Sequence, residues 1–184
     1  MATTFPGTTV EVSGFVKGSS QQLFDGLFAA GGVTLSQVSV MTGLEPYLIQ
    51  NWVKRGFVSS PVKRMYSRDQ FARILIINML RESLQIEKIC NLIHIIGGNP
   101  NDRSDDLICD AELYHRYVDM LSEPDVSSHD PDALRKAAIR AAEDFVEPMA
   151  GARKKLISIL QVMLYAHAAS QLRKTSEEIL AGVE

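Results

Sequence analysis

The stretch TLSQVSVMTGLEPYLIQNWVKRGFVSSPVKRMYSRDQFARILIINMLRESLQIEKICNLI, residues 34–93, decides the fold. Thr34 is a good N-cap for a short helix, Leu35 to Met41, that stops at the Thr42-Gly43 pair. Glu45 and Pro46 suit the first turn of a second helix, in which Leu48, Ile49, Trp52 and Val53 form the buried stripe before Gly56 closes it. Trp52 is therefore read as a core anchor rather than a ligand platform. Two short helices joined by a Gly-containing turn make a helix-turn-helix, whose second helix can lie in a DNA groove. From Phe57 to Tyr66 the helical pattern lapses at Ser59, Ser60 and Pro61, which predicts a short β-hairpin or loop with Lys63 and Arg64 near its tip. Ser67 caps the next helix, Arg68 to Ser83, whose apolar positions run round most of its circumference and predict burial on several sides. A further helix, Ile86 to about Ile96, is stopped by Gly97, Gly98 and Pro100.

Outward from this stretch, residues 1–18 are rich in Gly, Thr and Ser without helical periodicity and read as an irregular N-terminal arm. Ser19 or Ser20 can cap a helix through Phe28, ended by Gly31 and Gly32. On the far side, Asn99 to Asp106 is a polar linker into an acidic, helical half. There the expected helices are Leu107 to Leu121, Pro131 to Val146 with Asp130 as N-cap, and about Gly151 to Leu180. In the last, Leu156, Ile159, Leu160, Met163, Leu164 and His167 make an a/d-like stripe, to be covered either by a helical partner or by the chain's own domain. The fold class expected is all-α with a small β wing. It is divided into the arm (1–18), a winged helix-turn-helix (19–98) and a helical dimerisation or ligand-binding domain (107–184).

At 184 residues, 46% hydrophobic and 22% charged, the chain has the composition of a globular protein. Cys90 and Cys109 are too few and too scattered for a disulfide framework or a four-ligand zinc site, which favours a reducing compartment. No secretory leader is visible, and the apolar run from Ile74 to Leu80 is broken by Asn78 and bounded by arginines, so no membrane span is expected. The expected location is cytoplasmic. A net charge of −3 hides an asymmetry: residues 34–98 carry eight Lys/Arg against four Asp/Glu, whereas residues 99–184 carry ten against sixteen. Between Asn51 and Arg73, Lys54, Arg55, Lys63, Arg64, Arg68 and Arg73 face a single acid, Asp69. Such clustering points to a polyanion-binding face on an otherwise acidic molecule.

Residues 34–93 resemble the winged helix-turn-helix of MerR-type transcription regulators. Val38, Thr42, Gly43, Pro46, Ile49, Trp52, Gly56, Pro61, Tyr66, Ser67, Leu80 and Ile89 sit where that pattern has equivalent residue types. A closer likeness is to an uncharacterised bacterial family of MerR-like domain-of-unknown-function proteins, which supplies neither effector nor target. Two departures stand out: Gln50, Asn51 and Trp52 replace an Arg followed by aromatics, and Val62 to Met65 replaces a longer basic wing. The resemblance implies sequence-specific binding of double-stranded DNA by a homodimer, hence transcription regulation.

Independently of the family, helix-start amides with Lys and Arg neutralise phosphates, and Gln or Asn can pair with adenine edges. On that basis Tyr47, Gln50, Asn51, Lys54 and Arg55 are recognition-helix candidates, and Lys63, Arg64 and Arg68 are backbone-contact candidates. The alternative function is a protein-interaction adaptor that keeps the winged fold without binding DNA, favoured by the short wing and the overall acidity. A small-molecule effector held by the C-terminal helices would add to the first reading. No cofactor and no metal are expected: Cys90 and His94 share a helix face but want further ligands. Gly97-Gly98-Asn99-Pro100 lacks the Lys-Ser/Thr of a phosphate loop, and no spacing assembles nucleophile, base and oxyanion donors, so an enzyme is not expected.

Overall fold

The computed structural model describes residues 3–97 and 106–183. In chain order the elements are β1 (Thr3–Thr4), β2 (Glu11–Val12), α1 (Ser19–Leu27), β3 (Val33–Thr34), α2 (Leu35–Thr42), α3 (Pro46–Lys54), β4 (Met65–Tyr66), α4 (Arg68–Leu80), α5 (Ile86–Gly97), α6 (Asp110–Met120), a 3-10 turn (Val126–Ser128), α7 (Pro131–Arg140) and α8 (Ala152–Ala181). The chain is thus mostly helical, with a few very short strands. The expected linker at 99–106 falls, apart from Asp106, outside the described residues.

Helix α4 is the axis of the molecule, because residues 70–77 are all buried and no face of that segment is left to water. Helices α2, α6 and α8 pack around it. Its start is set by a capping box: the Ser67 hydroxyl accepts from Gln70 N, and the Gln70 side chain accepts from Ser67 N at 2.8 Å. Gln70 also donates from Nε2 to the carbonyls of Ser59 and Ser60 at 3.0 Å, which moors the loop after α3 to α4.

Helix α2 begins with the same device, Thr34 reciprocated by Gln37, and ends at Gly43 in the left-handed region (φ 68°). Pro46 opens α3, and Ile49 and Trp52 anchor it in the core. At the turn between the two helices, Ser39 Oγ donates to Leu44 O at 2.6 Å, and Thr42 Oγ1, which donates to Val38 O within α2 at 2.7 Å, accepts from Leu44 N at 3.3 Å. The α2–turn–α3 angle therefore rests on side-chain bonds as well as on packing.

Four expectations need correction. Residues 3–12 are not irregular: β1 and β2 pair antiparallel, Phe5 is buried, and the segment lies across α4. A Cβ on Gly7 would stand 2.4 Å from Leu75 O, while Asn78 Nδ2 donates to both Gly7 O and Thr42 O, and Thr9 N donates to Met41 O at 2.8 Å. The arm thereby caps the end of α2. Neither Ser19 nor Ser20 caps α1; Gly18 takes that place, and buried Ser20 meets His115 Nδ1 at 2.9 Å. The helices expected over 107–121 and 131–146 are shorter, Asp110–Met120 and Pro131–Arg140. Finally, the expected division between residues 19–98 and 107–184 does not coincide with a break in packing. Phe24 of α1 stacks on Tyr114 of α6 (5.7 Å between ring centres) and contacts Phe71 of α4 (5.4 Å), so one core runs across it.

The open alternative for α8 is resolved toward the chain itself. Leu156, Ile159, Leu160, Met163 and Leu164 are buried against α4, α6 and α7, and His167 is half-buried with its ring edge-on to Tyr117.

Candidate nucleic-acid interface

Helix α3 sends Ile49 and Trp52 inward, so Tyr47, Gln50, Asn51 and Lys54, at spacings of three, four and seven, lie together on its other face. All four are exposed, as is Arg55 just beyond. Among the described residues the side chains of Tyr47, Gln50, Asn51 and Lys54 make no hydrogen bond or ion pair, so they remain available to a ligand. Arg55 lies over the Phe57 ring at 5.0 Å, which orients its guanidinium without neutralising it.

Val62 to Met65, the segment expected to form the wing, is a two-residue hairpin. Val62 and Met65 exchange backbone hydrogen bonds (2.9 and 3.2 Å), and Met65–Tyr66 pairs antiparallel with Val33–Thr34. Lys63 (φ 50°) and Arg64 (φ 65°) are the two central residues, both left-handed, which is the type I′ geometry that Asn-Gly usually fills. Two long basic side chains therefore project from a turn that disfavours both of them.

The remaining members of the basic cluster differ from their neighbours. Arg68 is exposed, but its guanidinium is held by Asp25 at 2.7 Å and lies over Phe28. Reaching a phosphate would require it to leave that pair, a modest cost at the surface. Arg73 is buried and takes no part in any outward face: its Nε donates to Asp110 Oδ2 at 2.9 Å. Burial, with Asp69 and Asp106 adding to it, outweighs Arg73 and pushes Asp110 up to about 6. Asp69 accepts from Ala111 N at 3.1 Å, so α4 and α6 are tied at two adjacent points. Sequence reading missed this clamp, since nothing in a lone Arg and a distant Asp reveals that they are buried together.

Burial pushes the thiols of Cys90 and Cys109 up, the opposite of a metal-bound or activated thiolate. Among the described residues no three His, Cys, Asp or Glu converge on a metal position, and no helix is long and apolar enough to cross a membrane. A separate cleft of about 750 Å³ lies between the end of the arm and α6, walled by Lys17, Gln21, His115, Arg116 and Asp119, with Arg140 opposite. Burial lowers the affinity of His115 for protons, and Arg116 forks between Glu112, Asp144 and the Ala141 carbonyl.

Residues 33–117, from β3 into α6, match the family model described as a domain of unknown function, DUF1836. The matched region ends inside α6, in keeping with the packing of that helix on α4. A curated relative, the uncharacterized protein YkrK of Bacillus subtilis (strain 168), is 30% identical over 118 residues, covering 60% of this chain and 51% of the relative. The chain thus spans about half the length of that relative. No solved structure matches the chain.

Proposed function

We propose that the protein is a sequence-specific DNA-binding transcription regulator acting as a cytoplasmic homodimer, with α3 in the major groove and the Lys63-Arg64 hairpin on the adjacent backbone. The observation that carries this reading is the outward face of α3, where Tyr47, Gln50, Asn51 and Lys54 stand exposed beside no intramolecular partner among the described residues. Gln50 and Asn51 supply the donor–acceptor pairs that read adenine edges, and Lys54 with Arg55 supplies charge for phosphate. The hairpin agrees with it, because a turn holding Lys and Arg against their backbone preference has a use for their charge. The resemblance of residues 34–93 to MerR-type winged helices supports the same reading at the level of the family. One short reading helix gives a small contact, so two copies on a two-fold site are needed for useful affinity.

The competing reading is an interaction adaptor that has kept the fold and does not bind DNA, and the short wing favours it. The two separate on a pool of fragments from the host genome, retained at low and high salt by the native protein and by a Lys63→Ala, Arg64→Ala variant. A regulator enriches a few fragments, and loses them with salt and with the double substitution. Uniform weak retention that ignores both would discard the DNA reading in favour of the adaptor. An effector, if the regulator has one, fits the Lys17–Asp119 cleft, whose size is that of small-molecule sites.

A further inference from the structure

Helix α8 carries two apolar stripes, and the chain's own core uses only one of them. Opposite the buried stripe run Val162, Tyr165, Ala169 and Leu172, continued by Ser176, Ile179 and Val183, alternately three and four residues apart. All of them are exposed, rising from 39% at Val162 through 59% at Leu172 to 77% at Val183. A spacing of 3.5 residues is the period of a helix that winds against another helix. None of these seam positions is charged, although Arg173, Lys174, Glu177 and Glu178 sit on the same segment, turned to its other faces.

The outer part of α8 has no support of its own. Every residue from 171 to 183 is exposed. Its root is fastened where Glu82, just past the end of α4, receives the Ser170 hydroxyl and pairs with Lys174 at 3.0 Å. Beyond that a helix of this length is marginal in water unless an apolar face is covered.

We infer that this seam is the interface with a second copy of the chain, packed antiparallel about a two-fold axis near residues 170 and 171. In that register Val162 meets the partner's Ile179, Tyr165 meets the partner's Ser176, Ala169 meets the partner's Leu172 and Ser158 meets the partner's Val183. Most layers then pair a large side chain with a small one, as interdigitating cores require. A parallel pairing would set Tyr165 against the partner's Tyr165 and leave Ala169 and Ser176 facing their own kind, giving one crowded layer and two hollow ones. The antiparallel arrangement also lays each unsupported tail along the exposed shelf, residues 158–169, of the other copy. Two copies therefore satisfy both halves of the seam at once. The contact, residues 158–183 of each copy, is about 38 Å long but only one helix wide, toward the small end of specific interfaces, so association in the micromolar range is expected.

This inference deepens the homodimer of the proposed function, and its test needs no DNA. Sedimentation of the full chain from about 1 to about 100 μM should show a monomer–dimer equilibrium. A Leu172→Glu, Ile179→Glu variant, altered only at exposed positions, should remain monomeric throughout with an unchanged helical circular dichroism spectrum. A native chain that stays monomeric over that range, or a dimer that survives the double substitution, overturns the interface. For the register, Val162→Cys protein mixed with Ile179→Cys protein should cross-link on oxidation, assigned by peptide mapping against Cys90 and Cys109. Ile179→Cys protein alone should not, because the two thiols would lie about 26 Å apart along the antiparallel pair. Cross-linking of Ile179→Cys alone, or none in the mixture, overturns the antiparallel register. Dimerisation without DNA retention would refute the regulator and leave the seam standing, whereas DNA retention by a monomer would do the reverse.

Discussion

Replacing the hairpin tip by Lys63→Asn with Arg64→Gly should make the protein more stable and, on the DNA-binding function proposed above, a poorer DNA binder at the same time. Both residues sit at positive φ, 50° and 65°, where a side chain with a Cβ crowds its own carbonyl at about 1–2 kcal/mol per residue. Asn tolerates that region and Gly is indifferent to it, although Gly gives back about 0.5–1 kcal/mol through the greater freedom of the unfolded chain. The net gain is about 1–2 kcal/mol, which for a chain of this size raises Tm by roughly 2–8 °C. Removing the two proposed phosphate contacts should at the same time flatten the slope of log affinity against log salt by about 1.8. Urea denaturation and anisotropy titrations on an enriched fragment at several salt concentrations measure the two quantities separately. Lys63→Ala with Arg64→Ala is the control: it removes the same charges but keeps Cβ atoms in the left-handed region, so it should flatten the slope without the stability gain. If Asn-Gly brings no stability over Ala-Ala, the strain argument is wrong. If both leave the salt slope unchanged, the tip does not touch phosphate.

Three further outcomes follow from the packing. Asp110→Ala, which removes the acceptor of Arg73 Nε from the buried α4–α6 contact while Asp106 stays beside the guanidinium, should cost about 1–3 kcal/mol, and Arg73→Met with Asp110→Leu should cost less than the sum of those two single variants; strictly additive urea midpoints would refute the clamp. Burial holds His167 down to about 4, with His129 and Lys174 adding to it, against 6.5 when unfolded. The unfolded chain therefore binds the extra proton, and His167 stabilises the fold above pH 6.5 but loses that contribution as pH falls toward 4, by up to about 1.4 kcal/mol per pH unit. Asp110, raised to about 6, acts with the opposite sign between 3.8 and about 6, so the His167 share is read as the difference between wild type and His167→Gln across a pH series; identical profiles would dismiss it. Thr34→Ala and Ser67→Ala each remove the acceptor of a capping box and should each cost about 1 kcal/mol in chemical denaturation, with Thr34→Ala also loosening the start of the α2–α3 pair.

The elements of residues 34–97 were legible because their signals are local. A Thr or Ser cap, Gly43 and Gly56 as terminators, Pro46 at a helix start and a 3.6-residue apolar period each act within a turn or two, and α2, α3, α4 and α5 begin and end close to where those signals stand. The exposed face of α3 was legible for the same reason: once Ile49 and Trp52 are inside, helical geometry alone puts Gln50, Asn51 and Lys54 outside. Charge counting was less reliable, because it gave Arg73 and Lys63 the same weight although one is buried against Asp110 and the other crowns the hairpin.

By itself the sequence determined the helices of residues 34–97, the hairpin with its basic tip and the face that α3 presents, since short-range caps, periods and turn residues carry that information. Only the tertiary structure decided that Phe24, Phe71 and Tyr114 join the two halves in one core, that the arm caps α2, and that Arg68 is paired with Asp25. It also decided which stripe of α8 faces inward. These are contacts between residues dozens of positions apart, and a one-dimensional pattern shows that a surface is apolar or charged but not which other surface will cover it.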